Sequence, residues 1–533
     1  MTDRQEAGKR IANGEAILGC ELGSTTVKSV LVSPDGEPLA SGSRTWENRL
    51  SDGIWTYPMD EVREALAASF ASLATNVRKL YDVPLTRLAA GGFSAMMHGY
   101  IAADRNGELL VPFRTWRNNR TADAASELTD LFGWPIPQRW SIAHLYQAIL
   151  DEEDHLPRLA KFTTLAGYVH WQLTGEWTLG VGDASGMFPV DPETNDYDTK
   201  MLEAFDERVA DRGYPWRIAD LLPRIVPVGE SAGELTADGA RMLDPTGQLE
   251  AGMLLCPPEG DTSTGMVVTN SVRPKTGNVS AGTSVFAMLV LEHKLSALHP
   301  ELDLVLTPDG ELVAMAHSNN CTSDFNAWMA LFGEVARALG LDVADSDLYG
   351  KLMPLALEGD ADAGGLLSYG YVSGEHLTGF SEGRPLFARK PDAGFTLANF
   401  VRAHLFSALG ALRTGLDVLT DKEGVAVDEL CGHGGFFKTP EVGQRLMAAA
   451  TRTPVSVPAG AGEGGAWGMA LLAAYSIRDD RSLTLPDYLD DVVGDTIGEA
   501  IAPTEEDIAG FQQFFDRYTA GLPIEAAAVE HFR

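Results

Sequence analysis

The sequence predicts an α/β protein with more than one domain. Short apolar segments rich in β-branched residues alternate with amphipathic helical patterns along most of the chain. A chain of 533 residues exceeds one ordinary core, so we expect two or three domains. A strand–turn–strand pattern with glycine and hydroxyl residues in its turn occurs in each half, at residues 17–32 and 277–290. This repetition indicates a structural duplication.

Composition and charge narrow the class of protein. A hydrophobic content of 45% with 22% charged residues is typical of a soluble globular enzyme. The formal net charge of −34 argues against nucleic acid or an anionic membrane surface as a partner. We expect a flexible N-terminus over residues 1–15, and neither a signal peptide nor a membrane span is apparent. The sequence therefore predicts a cytoplasmic protein.

The cysteines also favour a cytoplasmic protein. They are widely separated in sequence and have no spacing typical of a metal site or a disulfide framework: Cys20, Cys256, Cys321 and Cys431. Reduced thiols are the simplest interpretation.

The first strand–turn–strand has the composition of a phosphate-binding turn. Its turn begins at Gly23, where the absence of a side chain lets a ligand approach the backbone. Backbone N–H groups and hydroxyls in such a turn are free to receive phosphate oxygens. Glu21 is placed to hold a divalent cation directly or through water. An ordinary polar hairpin is the alternative, and the similar turn at residues 277–286 favours phosphate binding.

The remaining elements are predicted in chain order. The first half contains a three-stranded antiparallel meander over 17–44, a helix over 59–81, a buried strand over 88–94, a hairpin over 100–113 and helices over 142–150 and 168–173. The second half contains the strand–turn–strand over 277–290, helices over 323–339 and 400–419, strands over 429–431 and 455–457, a helix over 464–475 and a helical tail.

Two sequence patterns of nucleotide-binding proteins are informative for this chain. No G-x-x-x-x-G-K-[ST] sequence occurs, which excludes a P-loop enzyme. A G-x-G-x-x-G pattern at residues 460–465 follows a strand and precedes a helix. It lies too near the end of the chain for a complete dinucleotide-binding domain. A helix start that lets the base or ribose of a nucleotide approach is the favoured interpretation.

The chain resembles the FGGY carbohydrate kinases, a branch of the actin/Hsp70/hexokinase superfamily, from residue 17 to residue 475. The similar segments occur in the family's order, at residues 21–28, 173–176, 182–186, 280–284, 371–375, 432–435 and 463–470. The resemblance implies two ribonuclease-H-like (actin-like ATPase) domains with a cleft between them. We expect the N-terminal domain over 16–258, the ATP-binding C-terminal domain over 259–475, and a packed helical tail over 476–533.

The resemblance also implies a reaction, the transfer of phosphate from ATP to a sugar hydroxyl with Mg²⁺. Asp261 corresponds to the family's catalytic aspartate, the base for the attacking hydroxyl. An N-cap for the following helix is its alternative role. The implied sugar contacts are Met97, His98, Trp116, Asn118, Asp261 and Thr262. The implied metal ligands are Glu21 and Asp261.

The implied ATP contacts lie in both halves of the chain. They are Gly23, Ser24, Thr25, Thr26, Lys28, Gly282, Thr283, Ser284, Gly434, Gly435, Phe436 and Glu463. The alternative for Lys28 is a strand residue whose side chain is only solvated and does not contact ATP. The aromatic pair at Phe436 and Phe437 is predicted either to stack on adenine or to pack against a helix.

Several positions have alternative interpretations or depart from the family pattern. His98, in a Met-His-Gly segment like that of the xylulokinase branch, is alternatively a core or surface residue. Trp116 is either the floor of a sugar site or a core residue. Asn118 replaces the usual acidic residue, and Glu21 replaces the usual aspartate. Asp183 either contacts ligand or orders its loop.

The predicted function is phosphorylation of the terminal hydroxyl of a ketose, with the pentulose D-xylulose first and ribulose or another sugar or polyol as the alternative. A second hypothesis is a non-catalytic sensor of sugar or nucleotide on the same fold. A third is an ATPase that acts on a protein partner, in which residues 97–99 and Asp261 would have no role. A homodimer is a further expectation.

Overall fold

The computed structural model describes residues 3–458 and 464–532. The β-strands of these residues are short and are, in chain order, β1 Ile17–Leu22, β2 Thr26–Val32, β3 Pro38–Thr45, β4 Arg49–Ser51, β5 Ile54–Thr56, β6 Ala90–Ala95, β7 Ile101–Ala103, β8 Lys161–Thr163, β9 Thr178–Gly180, β10 Val190–Asp191, β11 Asp196–Tyr197, β12 Arg224–Val226, β13 Leu254–Leu255, β14 Glu259–Gly260, β15 Thr276–Ala281, β16 Val285–Val290, β17 Asp303–Leu306, β18 Leu312–Ser318, β19 Leu367–Tyr369, β20 Leu386–Ala388, β21 Glu429–His433 and β22 Val455–Ser456.

The α-helices of the same residues range from one turn to more than seven turns. They are α1 Asp3–Ala12, α2 Met59–Tyr81, α3 Ala122–Phe132, α4 Ser141–Leu150, α5 Leu165–Thr174, α6 Val181–Ser185, α7 Thr199–Val209, α8 Ile218–Leu221, α9 Ala237–Leu243, α10 Asp261–Val268, α11 Ser323–Ala338, α12 Asp345–Leu352, α13 Leu397–Asp417, α14 Val442–Thr451, α15 Gly464–Ser476, α16 Leu485–Val493 and α17 Glu505–His531. None of them has the length and apolar character that crossing a membrane requires.

The chain forms two compact units, each assembled from separate stretches. Unit 1 contains the described residues of Met1–Val272, Asp303–Val313 and Gly462–Asp495, and unit 2 contains those of Arg273–Leu302, Ala314–Ala461 and Thr496–Arg533. The domain boundaries that the sequence suggests, after residues 15, 258 and 475, stay predictions.

The main sheet of unit 1 begins with the predicted antiparallel meander. Its strand order is β13-β6-β1-β2-β3, and β14 also pairs with β6. Strand β1 is antiparallel to β2 and parallel to β6, while β13 and β14 run parallel to β6. This is the ribonuclease-H-like order of three antiparallel strands followed by parallel ones.

Unit 2 repeats the same strand order. Strands β18, β16, β15, β21 and β22 are neighbours in that sequence. Strand β15 is antiparallel to β16 and parallel to β21, which is parallel to β22. The predicted structural duplication is therefore confirmed, and the fold is the predicted two-domain α/β fold.

Helix α2 shows why the apolar spacing predicted its position correctly. Its buried residues recur every three or four positions along one face: Val62, Ala65, Leu66, Ser69, Phe70, Leu73 and Val77. Acidic residues lie in its first turn and basic residues in its last turn, where they interact favourably with the helix dipole. The helix packs on β2 and β3 of unit 1.

The structure corrects two local predictions. The N-terminal stretch expected to be flexible contains α1, because Ile11 is buried in the core of unit 1 and orders the helix. The hairpin predicted over 100–113 is incomplete, since β7 pairs with β8 and contacts the later segment only through isolated bridges. Burial of Phe162 on β8 explains why the distant strand is preferred.

The C-terminal helix α17 lies within the tail that the sequence predicts to be helical. Thr504 caps its N-terminus by accepting a hydrogen bond from the backbone N–H of Asp507. Phe511, Phe514 and Tyr518 of α17 are fully buried within unit 2. Apolar burial therefore orders this helix.

Candidate active site

The turn at residues 23–26 of unit 1 has its backbone acceptors occupied. The indole N–H of Trp46 donates to the Gly23 carbonyl at 2.7 Å, and the hydroxyl of Tyr57 donates to the Ser24 carbonyl at 2.6 Å. The backbone N–H of Trp46 donates to the Thr25 carbonyl at 3.1 Å. The rings of Trp46 and Tyr57 stack with their centroids 4.3 Å apart. This aromatic pair therefore holds the turn in place through hydrogen bonds to its backbone carbonyl groups.

The hydroxyl donors of the same turn are unused. Within residues 3–458 and 464–532, the hydroxyls of Ser24, Thr25 and Thr26 have no hydrogen-bond partner, and Thr25 is exposed. The turn therefore combines free donors with occupied acceptors, an arrangement that suits an anion such as a phosphate.

The turn at residues 282–284 of unit 2 has the same arrangement. The backbone N–H and hydroxyl of Thr322 donate to the Gly282 carbonyl at 3.0 and 2.7 Å. The Thr283 carbonyl accepts from the backbone N–H of Cys321 at 2.9 Å. In the described part of the chain, the hydroxyls of Thr283 and Ser284 have no partner. Each turn, considered by itself, has an arrangement that suits an anion.

Glu21 lies next to the first turn, on β1 and opposite Lys28 of β2. Burial raises the pKa of the Glu21 carboxyl to about 7, the negative charge of Asp261 adds to this effect, and Lys28 opposes it. Since Lys28 interacts electrostatically with Glu21, it is more than a solvated strand residue. Glu21 and Asp261 are thus two carboxyl groups in one electrostatic environment.

Asp261 is the first residue of α10, and Gly260 is the N-cap. The proposed alternative role of Asp261 as the N-cap is therefore wrong. The backbone N–H of Met97 donates to Asp261 Oδ1 at 3.2 Å. Burial raises the pKa of Asp261 to about 6, against the opposing effect of hydrogen bonds from Met97 and Thr262. A carboxylate with this pKa is a stronger base than a free aspartate.

His98 follows Met97 directly and is almost fully buried. Its Nδ1 lies 2.9 Å from the carbonyl of Gly186, which assigns the proton to Nδ1 and leaves Nε2 as an acceptor. Among the described residues Nε2 has no hydrogen-bond partner. Burial, together with the nearby charge of Arg139, lowers the pKa of His98 to about 3, so the ring is neutral. Its backbone has a left-handed φ of 67°.

The family models match both halves of the chain. The N-terminal domain model of the FGGY family of carbohydrate kinases matches residues 16–248, and the C-terminal domain model matches residues 277–477. The chain belongs to the FGGY family of carbohydrate kinases.

Relatives of this FGGY kinase match nearly its whole length. A xylulose kinase from Staphylococcus epidermidis is 21% identical over 513 residues, which are 95% of this chain and 96% of the relative. A gluconokinase from Bacillus subtilis is 22% identical over 509 residues, 90% of each chain. The ligand-bound xylulose kinase from Lactobacillus acidophilus has a TM-score of 0.78 at 17% identity, covering 97% of this chain and all of that one. The structural likeness supports the fold, and the chemistry of the family is phosphate transfer.

Two residues predicted to contact sugar have different surroundings in this FGGY kinase. Trp116 is 38% exposed and so is not a core residue. Asn118 is buried, and its side chain bonds to both the N–H and the carbonyl of Trp55 and to the carbonyl of Thr115, at 2.8–2.9 Å. Both amide donors of Asn118 are occupied, which contradicts the predicted direct contact with sugar. Asn118 instead anchors its loop to β5.

Thr262 and Met97 are held against each other. The hydroxyl of Thr262 donates to Met97 Sδ. A Cβ on Gly260 would lie 2.0 Å from Met97 Cγ. Only glycine therefore fits at this position, at the end of β14 and directly before α10. The structure thus brings Met97, His98, Asp261 and Thr262 together within unit 1, and their contact with sugar stays a prediction.

The glycine loop after β21 separates into an open part and a buried part. Gly434 and Gly435 are exposed, and a Cβ on Gly435 would meet nothing within 4 Å. Phe436 is only 1% exposed, and Phe437 covers Gly432 and Gly443. Burial of both rings disfavours the predicted contact of Phe436 with ATP, and the ring of Phe437 packs against Gly443 of α14.

The start of α15 packs closely against neighbouring elements of unit 1. A Cβ on Gly465 would lie 2.5 Å from Glu21 Oε1, and one on Gly468 would lie 2.4 Å from the Thr264 carbonyl. Gly465 and Gly468 therefore serve close packing within unit 1. Glu463 and residues 460–462 lie outside the described residues.

The candidate magnesium ligands are both carboxyl groups. The described residues contain no group of three His, Cys, Asp or Glu side chains that could hold a metal ion by themselves. Glu21 and Asp261 supply two carboxylates, which fit Mg²⁺ because this ion keeps several waters and uses substrate phosphates as ligands. The pair therefore remains the predicted metal site.

Sequence reasoning missed two charged groups at this site. Glu259, two residues before Asp261, is 2% exposed. Arg139 lies near His98 and pairs with Asp303, a residue far away in sequence. The sequence signal for Glu259 was an acidic residue at the end of an apolar strand. The sequence contained no signal for the pairing of Arg139 with Asp303. Asp183 is fully buried and accepts from the Thr164 hydroxyl, which favours its role in ordering the loop.

Proposed function

We propose that this FGGY kinase transfers phosphate from ATP, with Mg²⁺, to the terminal hydroxyl of a ketose, a pentulose such as D-xylulose. The observation that carries the proposal is the adjacency of Met97 and His98. The N–H of Met97 holds the carboxylate of Asp261, and the next side chain presents an unpartnered acceptor nitrogen. Two consecutive residues are thus involved: the N–H of Met97 orients the base Asp261, and the side chain of His98 is the sugar-binding group.

Asp261 takes the proton from the attacking hydroxyl in this mechanism. Its raised pKa suits this task, and one oxygen is already oriented by Met97. The hydroxyls and N–H groups of residues 23–26 and 282–284 bind phosphate oxygens. Glu21 and Asp261 would hold a magnesium ion, which would neutralise phosphate charge.

A ketose is favoured over other acceptors by the neutral imidazole. His98 Nε2 accepts a hydrogen bond from an uncharged hydroxyl, and the nearby cation Arg139 is already paired with Asp303. A sugar acid would require a free cation for its carboxylate. The full-length likeness to a xylulose kinase supports a pentulose, and the likeness to a gluconokinase makes gluconate the competitor to test.

The test is a coupled assay of ADP release with Mg²⁺ and a panel of D-xylulose, D-ribulose and gluconate. We expect the highest kcat/KM with a pentulose. Asp261→Asn should lower kcat by about 10²- to 10⁴-fold without unfolding the protein, because the general base is lost. Asp60→Asn, an exposed change in the first turn of α2, is the matched control and should retain activity.

Two results would contradict the proposal. Full activity of Asp261→Asn would show that this carboxylate is not the base. Calorimetric binding of ATP and sugar without ADP release would instead identify a sensor.

A further inference from the structure

Glu259 is a buried carboxyl group without a compensating cation. Its side chain is 2% exposed, and no basic residue of the described chain pairs with it. Burying such a group is costly compared with an apolar residue of similar volume. A carboxyl group at this position therefore indicates a role beyond packing.

The carboxyl of Glu259 caps helix α6. Its Oε2 accepts from the backbone N–H of Asp183 at 2.9 Å, and its Oε1 accepts from that of Gly182 at 3.3 Å. A Cβ on Gly180 would lie 2.1 Å from Oε1, and one on Gly182 would lie 2.6 Å from Oε2. The segment around α6 is thus shaped to receive this side chain.

Helix α6 is held rigidly by further bonds. The hydroxyl of Ser185 donates to the Gly182 carbonyl at 2.6 Å and accepts from the backbone N–H of Leu306 at 2.8 Å. Asp183 accepts from the hydroxyl of Thr164 at 2.6 Å. A shift at the start of α6 is therefore transmitted to its end.

The end of α6 contacts His98. The carbonyl of Gly186 accepts the proton of His98 Nδ1, and a Cβ on Gly186 would lie 2.9 Å from His98 Cε1. The position of this carbonyl decides which ring nitrogen carries the proton. It also orients a residue whose backbone has an uncommon left-handed conformation.

We propose that Glu259 is a positioning residue that acts through α6. Its carboxyl holds the start of the helix, so that the Gly186 carbonyl keeps His98 in the tautomer whose Nε2 accepts a hydrogen bond from the sugar. The inference rests on the sugar-binding role proposed for His98. It involves no transfer of a proton to or from Glu259.

The first test compares two substitutions of similar volume. Glu259→Met removes both acceptors, whereas Glu259→Gln keeps one oxygen for the shorter bond to Asp183. We expect Glu259→Met to raise KM for the sugar about tenfold, the effect of one lost hydrogen bond, with KM for ATP unchanged. Glu259→Gln should recover most of the loss. Glu250→Gln, at an exposed position of unit 1, is the control.

A double-mutant cycle separates this role from general destabilisation. In a His98→Ala background, Glu259→Met should produce no further rise in KM for the sugar, because the residue it positions is absent. Independent, multiplicative effects of the two substitutions would overturn the proposal. So would an equal rise in KM for sugar and ATP.

The tautomer of His98 gives a readout that does not depend on activity. The ¹⁵N signals of His98, assigned by their loss in His98→Ala, should show a protonated Nδ1 in the wild type and a mixture of tautomers in Glu259→Met. Unchanged signals in a folded Glu259→Met protein would overturn the positioning role. Changed signals together with an unaltered sugar KM in His98→Ala would support positioning while refuting the proposed sugar contact. If Glu259→Met does not fold, Glu259→Leu, which also removes both acceptors, takes its place in the same measurements.

Discussion

Burial changes the chemistry of individual side chains around residue 98. His98 is kept neutral, because removal from water disfavours its charged form. The carboxyl groups of Glu21, Asp183, Glu259 and Asp261 all have raised pKa values for the same reason. Such a concentration of perturbed groups is typical of an active site.

At the two turns, single hydroxyls can be tested separately. Thr25→Val and Thr283→Val should each raise KM for ATP by about tenfold, the effect expected for one hydrogen bond to a charged group. Their melting temperatures should match the wild type, since neither hydroxyl bonds to the described protein. Steady-state kinetics with varied ATP measures the effect. The control is Thr199→Val, at an exposed position, and an unchanged KM in both turn variants would refute phosphate binding there.

Glu259 and Asp183 predict how stability depends on pH. Burial, with the charge of Asp183 adding to it, raises the pKa of Glu259 from 4.5 to about 8. Burial, with the charge of Asp261 adding to it, raises the pKa of Asp183 from 3.8 to about 7. The folded state therefore binds more protons than the unfolded state between about pH 4 and pH 8. This contribution to stability is complete below about pH 4 and is lost as pH rises to 8.

The measurement is the urea midpoint at pH 5, 6, 7 and 8. We expect the contribution of this pair to lower the midpoint with rising pH, and Glu259→Gln to flatten the dependence because its amide does not titrate. Glu250→Gln should retain the wild-type slope. A Glu259→Gln slope equal to that of the wild type would contradict the assigned pKa.

At the scale of elements, glycines let α15 approach β1 and α10 closely within unit 1. A Cβ on Gly19 would lie 1.9 Å from the Ala466 carbonyl. Gly465 and Gly468 have similarly close neighbours in Glu21 and Thr264. This packing brings the N-terminal turn of α15 to Glu21, whose carboxyl interacts with the N–H of Ala466.

Gly19→Ala should destabilise the protein by about 1–3 kcal/mol, because an overpacked interface forces backbone shifts. Gly494→Ala is the matched control, since a Cβ there would meet nothing within 4 Å. Urea unfolding of both variants checks the prediction. Equal stabilities for the two variants would show that α15 can move away from β1 without cost.

At the scale of the whole molecule, charge is unusually one-sided. The formal net charge is −34, with 75 acidic residues against 41 lysines and arginines. Repulsion among so many like charges opposes the folded state. Ion pairs such as Arg402 with Asp507 relieve it only locally.

Salt should therefore stabilise the protein. Raising NaCl from about 10 mM to about 150 mM shortens the screening length from about 30 Å to about 8 Å and should raise the melting temperature. Choline chloride at equal ionic strength should have a similar effect if screening is the cause. A lower melting temperature in both salts would contradict this account.

The sequence alone determined the features that depend on neighbouring residues. The apolar spacing of α2, the strand–turn–strand units around residues 23 and 282, and the order of the FGGY segments were all predictable. These features follow from local periodicity and turn chemistry, which tertiary context did not override.

The tertiary structure decided what each side chain does. Asn118 bonds to the backbone of Trp55, Phe437 packs against α14, and Glu259 caps a helix almost eighty residues earlier in the chain. Whether a polar group faces ligand or backbone depends on partners distant in sequence, and spacing carries no information about them. Burial likewise depends on the packed core, so the neutral His98 and the raised carboxyl pKa values emerge only when the chain is folded.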